Sequence, residues 1–191
     1  MRRLIVLSCI LASVVSGLAA CTSGSQVTPA TECLPLTPTL QHGNLIVPGV
    51  LGGVAYARAG EGRPEPLLMD LYTPPDADGA PMVVVVHGGS WTTGSRVAHI
   101  GQLLELLTEA GFAWAAIDYR LNGLAGWQEA VADVQEAVAF VRCHAASLRI
   151  DPARIVLAGE DAGAHLAAHA AAAVRPRGLV LIGAPYDLTA I

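Results

Sequence analysis

The 191-residue chain contains no lysine, and aromatic residues make up only 5% of it. All of its eleven basic residues are arginines, which are scattered and outnumbered by 16 acidic residues, so the formal net charge is −5. No basic patch or run is present that would bind nucleic acid or an acidic lipid surface. The composition therefore excludes nucleic acid as a partner.

Cysteine is also scarce, and no cysteine–histidine spacing typical of a metal site occurs. We therefore expect neither a metal nor a cofactor. Cys9 lies in a leader that we predict to be removed, and Cys21 is predicted to be modified, which leaves Cys33 and Cys143. An oxidising compartment would allow these two residues to form a disulfide. A buried free thiol at Cys143 on an apolar helix is the alternative.

The N-terminus carries the features of an export signal. Arginines at positions 2 and 3 precede an apolar run over residues 4–20, which is the order of the charged and hydrophobic regions of a secretion signal. The run ends in Leu18-Ala19-Ala20-Cys21, which resembles the lipobox of bacterial lipoproteins. In that family the signal is removed before the cysteine, and the thiol and amine of the cysteine are acylated.

The lipobox resemblance implies a protein of the cell envelope, held on the extracytoplasmic side of a membrane by lipid on Cys21. Several acyl chains on one residue suffice for stable membrane attachment. An ordinary signal peptide and a short membrane anchor are the alternatives, although a run of about 17 residues with small polar interruptions is marginal for spanning the bilayer. Removal of residues 1–20 takes two arginines away and changes the formal charge from −5 to −7.

The sequence predicts three regions: a signal peptide at 1–20, a flexible tether at 21–48 that is rich in Ser, Thr, Pro and Gly, and a folded domain at 49–191. Strand-like and helix-like segments alternate in the domain. Strands are predicted at 54–59, 67–72, 82–86, 112–117, 155–159 and 178–184, and helices at 96–110, 127–147 and 164–174. Repeated strand–helix–strand units favour parallel pairing with right-handed crossovers. The predicted fold is α/β, with a doubly wound and mostly parallel sheet.

An abrupt strand-to-helix turn is predicted around Asp161. Gly159 and Gly163 flank this residue, which is typical of a nucleophile elbow, where the central side chain is held on a strained turn. The helix that follows would direct unpaired backbone N–H groups at developing charge. With 20 glycines in the chain, a Gly-x-x-x-Gly pair also arises by chance, and the strand before the turn and the helix after it favour the elbow.

A glycine-rich loop, His87-Gly88-Gly89-Ser90-Trp91, directly follows the strand at 82–86. Glycines let the backbone approach a ligand and turn its N–H groups inward, so Gly88, Gly89 and Ser90 are candidates for an oxyanion hole together with Ala162. A tight turn with nothing bound is the alternative. This loop, residues 118–120 and Asp161 all follow predicted strands, at the sheet edge where such folds place their active crevice.

Four motifs together resemble the α/β-hydrolases of the hormone-sensitive-lipase and bacterial feruloyl-esterase type. They are His87-Gly88-Gly89-Ser90-Trp91, Asp118-Tyr119-Arg120-Leu121, Asp151-Pro152-Ala153-Arg154-Ile155 and Gly159-Glu160-Asp161-Ala162-Gly163-Ala164-His165-Leu166-Ala167. The resemblance covers about residues 50–190. It implies a carboxylic-ester hydrolase ancestry and a pocket for a small ester-like ligand, around His87, Trp91, Gly159, Glu160 and Gly163.

Two further expectations concern histidine. His165 matches a histidine that the family tends to carry for structure. Neither it nor His169 is expected to reach Asp161, because both lie on the body of the helix that follows the turn.

The sequence departs from the family at Asp161, where these enzymes carry serine. A carboxylate that attacks an ester carbonyl would form an anhydride and would have to expel a better nucleophile than itself, so we expect acyl transfer to fail. The helix N-terminus and nearby N–H donors should keep Asp161 ionised. Its negative charge would then occupy the oxyanion hole or repel an oxyanion from it. The aspartate is similar to the nucleophile of haloalkane dehalogenases and epoxide hydrolases, which attack saturated carbon.

A second departure lies after the turn. In this fold the acid and the histidine of the triad follow the nucleophile on later loops, but no histidine follows His169, and Asp187 comes early for the acid. We therefore expect a hydrolase fold that lacks its C-terminal strands and its general base. The apolar strand at 179–182 would then form an exposed sheet edge that is a candidate surface for a protein partner.

Four hypotheses remain open from the sequence. The chain is an anchored, truncated hydrolase homologue that is impaired or inactive; a non-catalytic envelope protein that binds a ligand or partner; a dehalogenase-like hydrolase that uses Asp161; or a fragment or frameshifted product of a longer gene.

Overall fold

A computed structural model of the chain describes residues 33–38, 49–60, 62–98 and 100–185, all within one unit, Glu32–Ile191. The predicted signal peptide at 1–20, the predicted acylation site Cys21, most of the predicted tether and Asp187 lie outside the described residues.

A six-stranded sheet forms the centre of this unit. Its strands are β1 (Val50–Ala57), β2 (Leu67–Tyr72), β3 (Ala80–Val86), β4 (Ala113–Ile117), β5 (Ile150–Glu160) and β6 (Gly178–Ile182), in the spatial order β1-β2-β4-β3-β5-β6. The pairs β1–β2 and β2–β4 are antiparallel, and β4, β3, β5 and β6 are parallel. This arrangement confirms the predicted α/β class and the mostly parallel sheet.

Helices cover both faces of the sheet. Helix α1 (Gly101–Glu109) packs leucines against one face, whereas α2 (Trp127–Cys143) and α3 (Asp161–Val174) pack against the other. In β3 the side chains alternate between the two layers: Val83 and Val85 face α1, and Val84 and Val86 face the opposite core. Because both faces are covered, the central strands are apolar throughout.

Small residues let α3 lie close to the sheet. Ala162, Ala164, Ala167 and Ala170 are all fully buried. A Cβ at Gly163 would overlap the carbonyl oxygens of Val86, the last residue of β3, and of His87, the first residue of the loop that follows, so only glycine fits there. Gly163 therefore determines how closely the start of α3 approaches the end of β3.

Several predicted element boundaries were wrong. The first helix begins at Gly101 rather than Arg96, because the backbone N–H and the guanidinium of Arg96 bind the carboxylate of Asp118 and its Nε binds Asp70. The second helix ends at Cys143 rather than 147, and the third begins at Asp161 rather than 164. Strand β5 begins at residue 150 rather than 155, β1 spans 50–57 rather than 54–59, and β6 ends at 182 rather than 184.

The segment 33–38, which the sequence assigns to the flexible tether, is attached to the domain. Cys33 forms a disulfide with Cys143 at the end of α2, with the two Cα atoms 6.5 Å apart. Leu34 and Leu36 pack against the core, the Leu34 carbonyl hydrogen-bonds Nε2 of His144 at 2.8 Å, and Pro38 forms a β-bridge with Val54. Of the two states left open for Cys143, the structure contains the disulfide.

Strand β6 lies at one end of the sheet order and pairs with β5. Leu179, Val180 and Ile182 are 43%, 47% and 55% exposed, as expected for an edge strand whose faces are incompletely covered. Among the described helices, none combines the length and apolar character needed to cross a bilayer.

Candidate active site at the strand-to-helix turn

Asp161 occupies the sharp turn between β5 and α3. Its φ is 48°, in the left-handed region that non-glycine residues seldom adopt. A Cβ at Gly159 would meet the backbone of Gly163, so both flanking glycines are required by close approach of the chain to itself. A strained central residue between two crowded glycines is the backbone geometry of an elbow.

The loop after β3 turns its N–H groups toward this residue. Gly89, Ser90 and Trp91 have positive φ values of 119°, 50° and 61°. The backbone nitrogens of Gly89 and Ser90 each donate to Oδ2 of Asp161 at 3.0 Å. The carbonyl of Gly89 accepts the N–H groups of Thr92 and Thr93 at 3.0 Å, which closes the loop on itself.

Backbone donors stabilise the charged form of Asp161. Partial burial, the largest single influence, acts to raise its pKa, but the N–H groups of Gly89, Ser90 and Ala162 together outweigh it and hold the pKa below the ordinary value of an aspartate. The side chain at the turn is therefore an anion at neutral pH. The N–H groups of Gly89 and Ser90 converge on one oxygen of this anion, Oδ2.

His87 lies beneath the loop and does not face Asp161 as a base. It is 1% exposed, its Nδ1 hydrogen-bonds the carbonyl of Gly88 at 2.7 Å, and its ring stacks on that of Tyr119. Burial lowers the pKa of His87, although the Gly88 carbonyl and the charges of Asp118 and Glu160 oppose this. A buried, neutral imidazole with a local partner is a structural part of the loop.

The two histidines of α3 belong to an aromatic cluster. The ring centroid of Trp127 lies 5.1 Å from that of His165 and 4.6 Å from that of His169. The ring of Trp91 contacts that of His165 edge-on, with the centroids 5.4 Å apart. Burial, followed by the charge of His169, lowers the pKa of His165. In the part of the chain that the structure describes, no imidazole hydrogen-bonds Asp161.

A cavity of about 580 Å³ opens above the turn. Four of the residues expected to form the site line it: Gly88, Gly89, Glu160 and Asp161. The sequence interpretation missed five others, which are Thr93, Gly94, Ala98, Ile182 and Gly183. They come from the segment after the glycine-rich loop and from the end of β6, and no sequence motif marked them.

The other expected residues support the cavity without lining it. The N–H groups of Ser90 and Ala162 point at Asp161. His87 and Trp91, the first and last residues of the loop, have buried side chains. Gly159 and Gly163 pack the turn against β3. Interpretation of the sequence also gave no role to Tyr119, whose hydroxyl donates to the carbonyl of His87. Its presence in the Asp118-Tyr119-Arg120-Leu121 motif was the available signal.

Comparison with known proteins identifies the same family as the motifs. The family model BD-FAE matches residues 69–179. The probable carboxylic ester hydrolase LipM of Mycobacterium tuberculosis is 32% identical over 123 residues, which cover 63% of this chain and 28% of LipM. The esterase LipQ of the same organism is 36% identical over a segment that covers 54% of this chain and 25% of LipQ. The chain thus spans about a quarter of the length of these relatives.

The fold matches a solved esterase. Esterase 2 of Thermogutta terrifontis, in the structure phosphorylated by paraoxon, superposes with a TM-score of 0.61 and 29% identity, over 72% of this chain and 58% of that chain. The family match covers most of the sheet and the strand-to-helix turn. This chain therefore belongs to the BD-FAE family, with the α/β-hydrolase fold and a carboxylic-ester hydrolase ancestry.

Proposed function

We propose that this chain is a lipid-anchored protein of the cell envelope, descended from a carboxylic-ester hydrolase, in which ester hydrolysis is impaired by the carboxylate at position 161. The observation that carries this proposal is the pair of 3.0 Å hydrogen bonds from the nitrogens of Gly89 and Ser90 to Oδ2 of Asp161.

The chemistry of the carboxylate opposes acyl transfer. Attack on an ester carbonyl needs a nucleophile that forms an acyl-enzyme, and a base that takes its proton and later activates water. Asp161 would instead form an anhydride. Among the described residues, the imidazoles bind backbone carbonyls or pack in the aromatic cluster, so none of them serves Asp161 as a base.

The electrostatics of the site also oppose acyl transfer. An oxyanion hole accelerates hydrolysis because its N–H groups are free to receive the negative charge that develops in the transition state. Here an anionic oxygen already accepts the N–H groups of Gly89 and Ser90. A second anion would have to displace this carboxylate or develop against its charge.

The hydrolysis experiment compares the full chain, purified in detergent, with its Asp161→Ala and Asp161→Asn variants on short p-nitrophenyl esters. The expected result is that none of the three exceeds the uncatalysed rate, while circular dichroism shows each to be folded. Turnover by the wild-type chain that disappears in Asp161→Ala would mean that the carboxylate is catalytic, and the proposal would be abandoned.

Halide release from a panel of haloalkanes is measured on the same preparations. A carboxylate can displace halide from saturated carbon, so this assay separates an impaired esterase from a dehalogenase-like enzyme. We expect no halide above the background of the Asp161→Asn variant.

The anchor rests on the lipobox resemblance of residues 18–21, and the Cys33–Cys143 disulfide supports export because such bonds persist in oxidising compartments. Labelling of cells with a radioactive fatty acid should mark the wild-type chain and place it in the membrane fraction. The Cys21→Ser variant should lose both the label and the membrane association. An unlabelled wild-type chain would contradict the anchor and leave the hydrolysis result untouched.

A further inference from the structure

The Asp118-Tyr119-Arg120 motif at the carboxyl end of β4 takes no part in the chemistry described above, yet each of its side chains binds a different element. Asp118 binds Arg96 in the segment before α1, and Arg120 binds Asp133 of α2. Tyr119 lies between them and contacts His87, the first residue of the glycine-rich loop.

Tyr119 holds both the backbone and the side chain of His87. Its hydroxyl donates to the His87 carbonyl at 3.0 Å, and its ring stacks on the imidazole with centroids 4.3 Å apart and planes 17° from parallel. Tyr119 is 3% exposed, so water does not compete for this contact. The two residues are 32 positions apart in the sequence, which makes this a tertiary contact between the ends of adjacent strands.

The carbonyl that Tyr119 binds lies immediately upstream of the N–H groups that bind Asp161. The carbonyl of His87 and the nitrogen of Gly88 share one planar peptide unit, so fixing the carbonyl fixes that plane. The next two nitrogens along the chain, those of Gly89 and Ser90, are the donors to Oδ2 of Asp161.

The remaining sides of His87 are filled by backbone. A Cβ at Gly94 would overlap the imidazole, and one at Gly163 would overlap the His87 carbonyl oxygen. These close approaches restrict how far His87 can move, but they supply no hydrogen bond that sets the direction of its carbonyl. Among the described residues, Tyr119 is the side chain that donates a hydrogen bond to this carbonyl.

We propose that Tyr119 is a positioning residue for the turn: its hydroxyl fixes the carbonyl of His87 and thereby keeps the N–H groups of Gly89 and Ser90 directed at residue 161. This role does not depend on whether the chain hydrolyses esters. Burial, reinforced by the charge of Asp161, raises the pKa of Tyr119 well above that of a free phenol, so the hydroxyl keeps its proton and remains a donor.

The test is the pKa of Asp161 in the Tyr119→Phe variant, followed by carbon NMR on full-length protein with carboxyl-labelled aspartate. The Asp161 resonance is assigned from the Asp161→Asn variant. Phenylalanine keeps the stacked ring and removes the hydroxyl. If the hydroxyl aims the loop, the donors lose alignment and the pKa of Asp161 rises toward the ordinary value of about 3.9.

Tyr72→Phe is the control. Tyr72 is also buried, in the core on the α1 side of the sheet, where its ring stacks on Trp114. This variant likewise removes a phenol hydroxyl, but Tyr119 belongs to the core on the opposite face, so the pKa of Asp161 should stay at the wild-type value. An unchanged pKa in Tyr119→Phe, or an equal rise in both variants, would overturn the proposal.

A second measurement needs no substitution at residue 119. In the wild-type protein the hydroxyl proton of Tyr119 should exchange slowly with water, because it is buried in a hydrogen bond, and its resonance should shift as Asp161 titrates. A hydroxyl proton that exchanges rapidly would overturn the proposal by itself, even if Tyr119→Phe did not fold. Neither readout involves ester hydrolysis, so failure here and failure of the proposed function are separate results.

Discussion

The backbone nitrogen of Gly89 lies 3.0 Å from Oδ2 of Asp161, although the two residues are 72 positions apart in the chain. One residue belongs to the loop after β3 and the other to the turn after β5, and these neighbouring parallel strands bring both to the same edge of the sheet. An anionic side chain and a cluster of N–H donors thus satisfy each other inside the cavity.

The first prediction concerns pH. The folded state holds the pKa of Asp161 below its unfolded value of about 3.9, so the carboxylate contributes stability above that pH and loses it as the pH falls through the lower, folded pKa. The free energy of unfolding of the wild type, relative to Asp161→Asn, should therefore be constant above about pH 5 and should decrease toward pH 2. Urea unfolding at a series of pH values measures this difference.

Asparagine is the appropriate comparison because it tolerates the left-handed backbone of this turn and cannot ionise. A difference between the two proteins that stays constant down to pH 2 would mean that the N–H groups do not hold the carboxylate.

The second prediction concerns Gly163. A Cβ at this position would overlap the backbone oxygens of Val86 and His87, which cannot move without breaking the end of β3. Gly163→Ala should therefore lower the free energy of unfolding by several kcal/mol, which is near the upper end of the range for single substitutions. Thermal unfolding followed by circular dichroism checks this.

Gly101→Ala is the control for the loss of a glycine. Gly101 begins α1, and a Cβ there would meet nothing within 4 Å. This variant should be neutral or stabilising by about 0.5–1 kcal/mol, since alanine favours helix. Equal effects at the two glycines would contradict the crowding at the turn.

The third prediction concerns the buried ion pair of Arg120 and Asp133. The Asp133 carboxylate is fully buried and accepts the backbone N–H of Arg120 and its Nε and Nη2, at 2.9–3.2 Å. Arg120→Ala leaves this charge without its counter-ion and should cost about 3–5 kcal/mol in the free energy of unfolding.

Glu136→Ala removes one partner of another ion pair on the same helix, in which the Glu136 side chain is 40% exposed. A loss of about 0–1 kcal/mol is expected there. Chemical denaturation of both variants under the same conditions makes the comparison, and a small effect of Arg120→Ala would show that Asp133 finds other partners.

The fourth prediction concerns the disulfide. The bond between Cys33 and Cys143 closes a loop across 110 positions, so reduction should lower the free energy of unfolding by about 2–4 kcal/mol. Melting curves with and without dithiothreitol measure the change. The double variant Cys33→Ser, Cys143→Ser should melt at the lower temperature in both buffers, and a further drop with dithiothreitol would point to a different thiol effect.

Periodicity and motifs predicted the sheet and the turn correctly where a local pattern determined them. The unbroken apolar run of β3 requires cover on both faces, and the glycines around Asp161 have no room for a side chain. The start of α1 could not be predicted, because contacts of Arg96 with Asp70 and Asp118 keep that residue out of the helix. Those partners lie more than twenty positions away in the sequence.

The attachment of residues 33–38 was hidden for the same reason. Their composition is typical of a linker, and what attaches them is a covalent partner on α2 together with a bridge to β1. The site was predicted as a set of N–H donors near Asp161, and the structure adds the direction of those donors and the contact of Tyr119 with His87.

The crowding of the turn has an evolutionary consequence. Gly159 and Gly163 lie so close to neighbouring backbone atoms that a larger residue would disturb the scaffold, whereas the side chain of residue 161 lines a cavity. Selection can therefore exchange the reactive group at this position while the surrounding architecture stays intact. A descendant protein that loses one reaction at this residue keeps the same backbone structure around it, and a different function can evolve at the site.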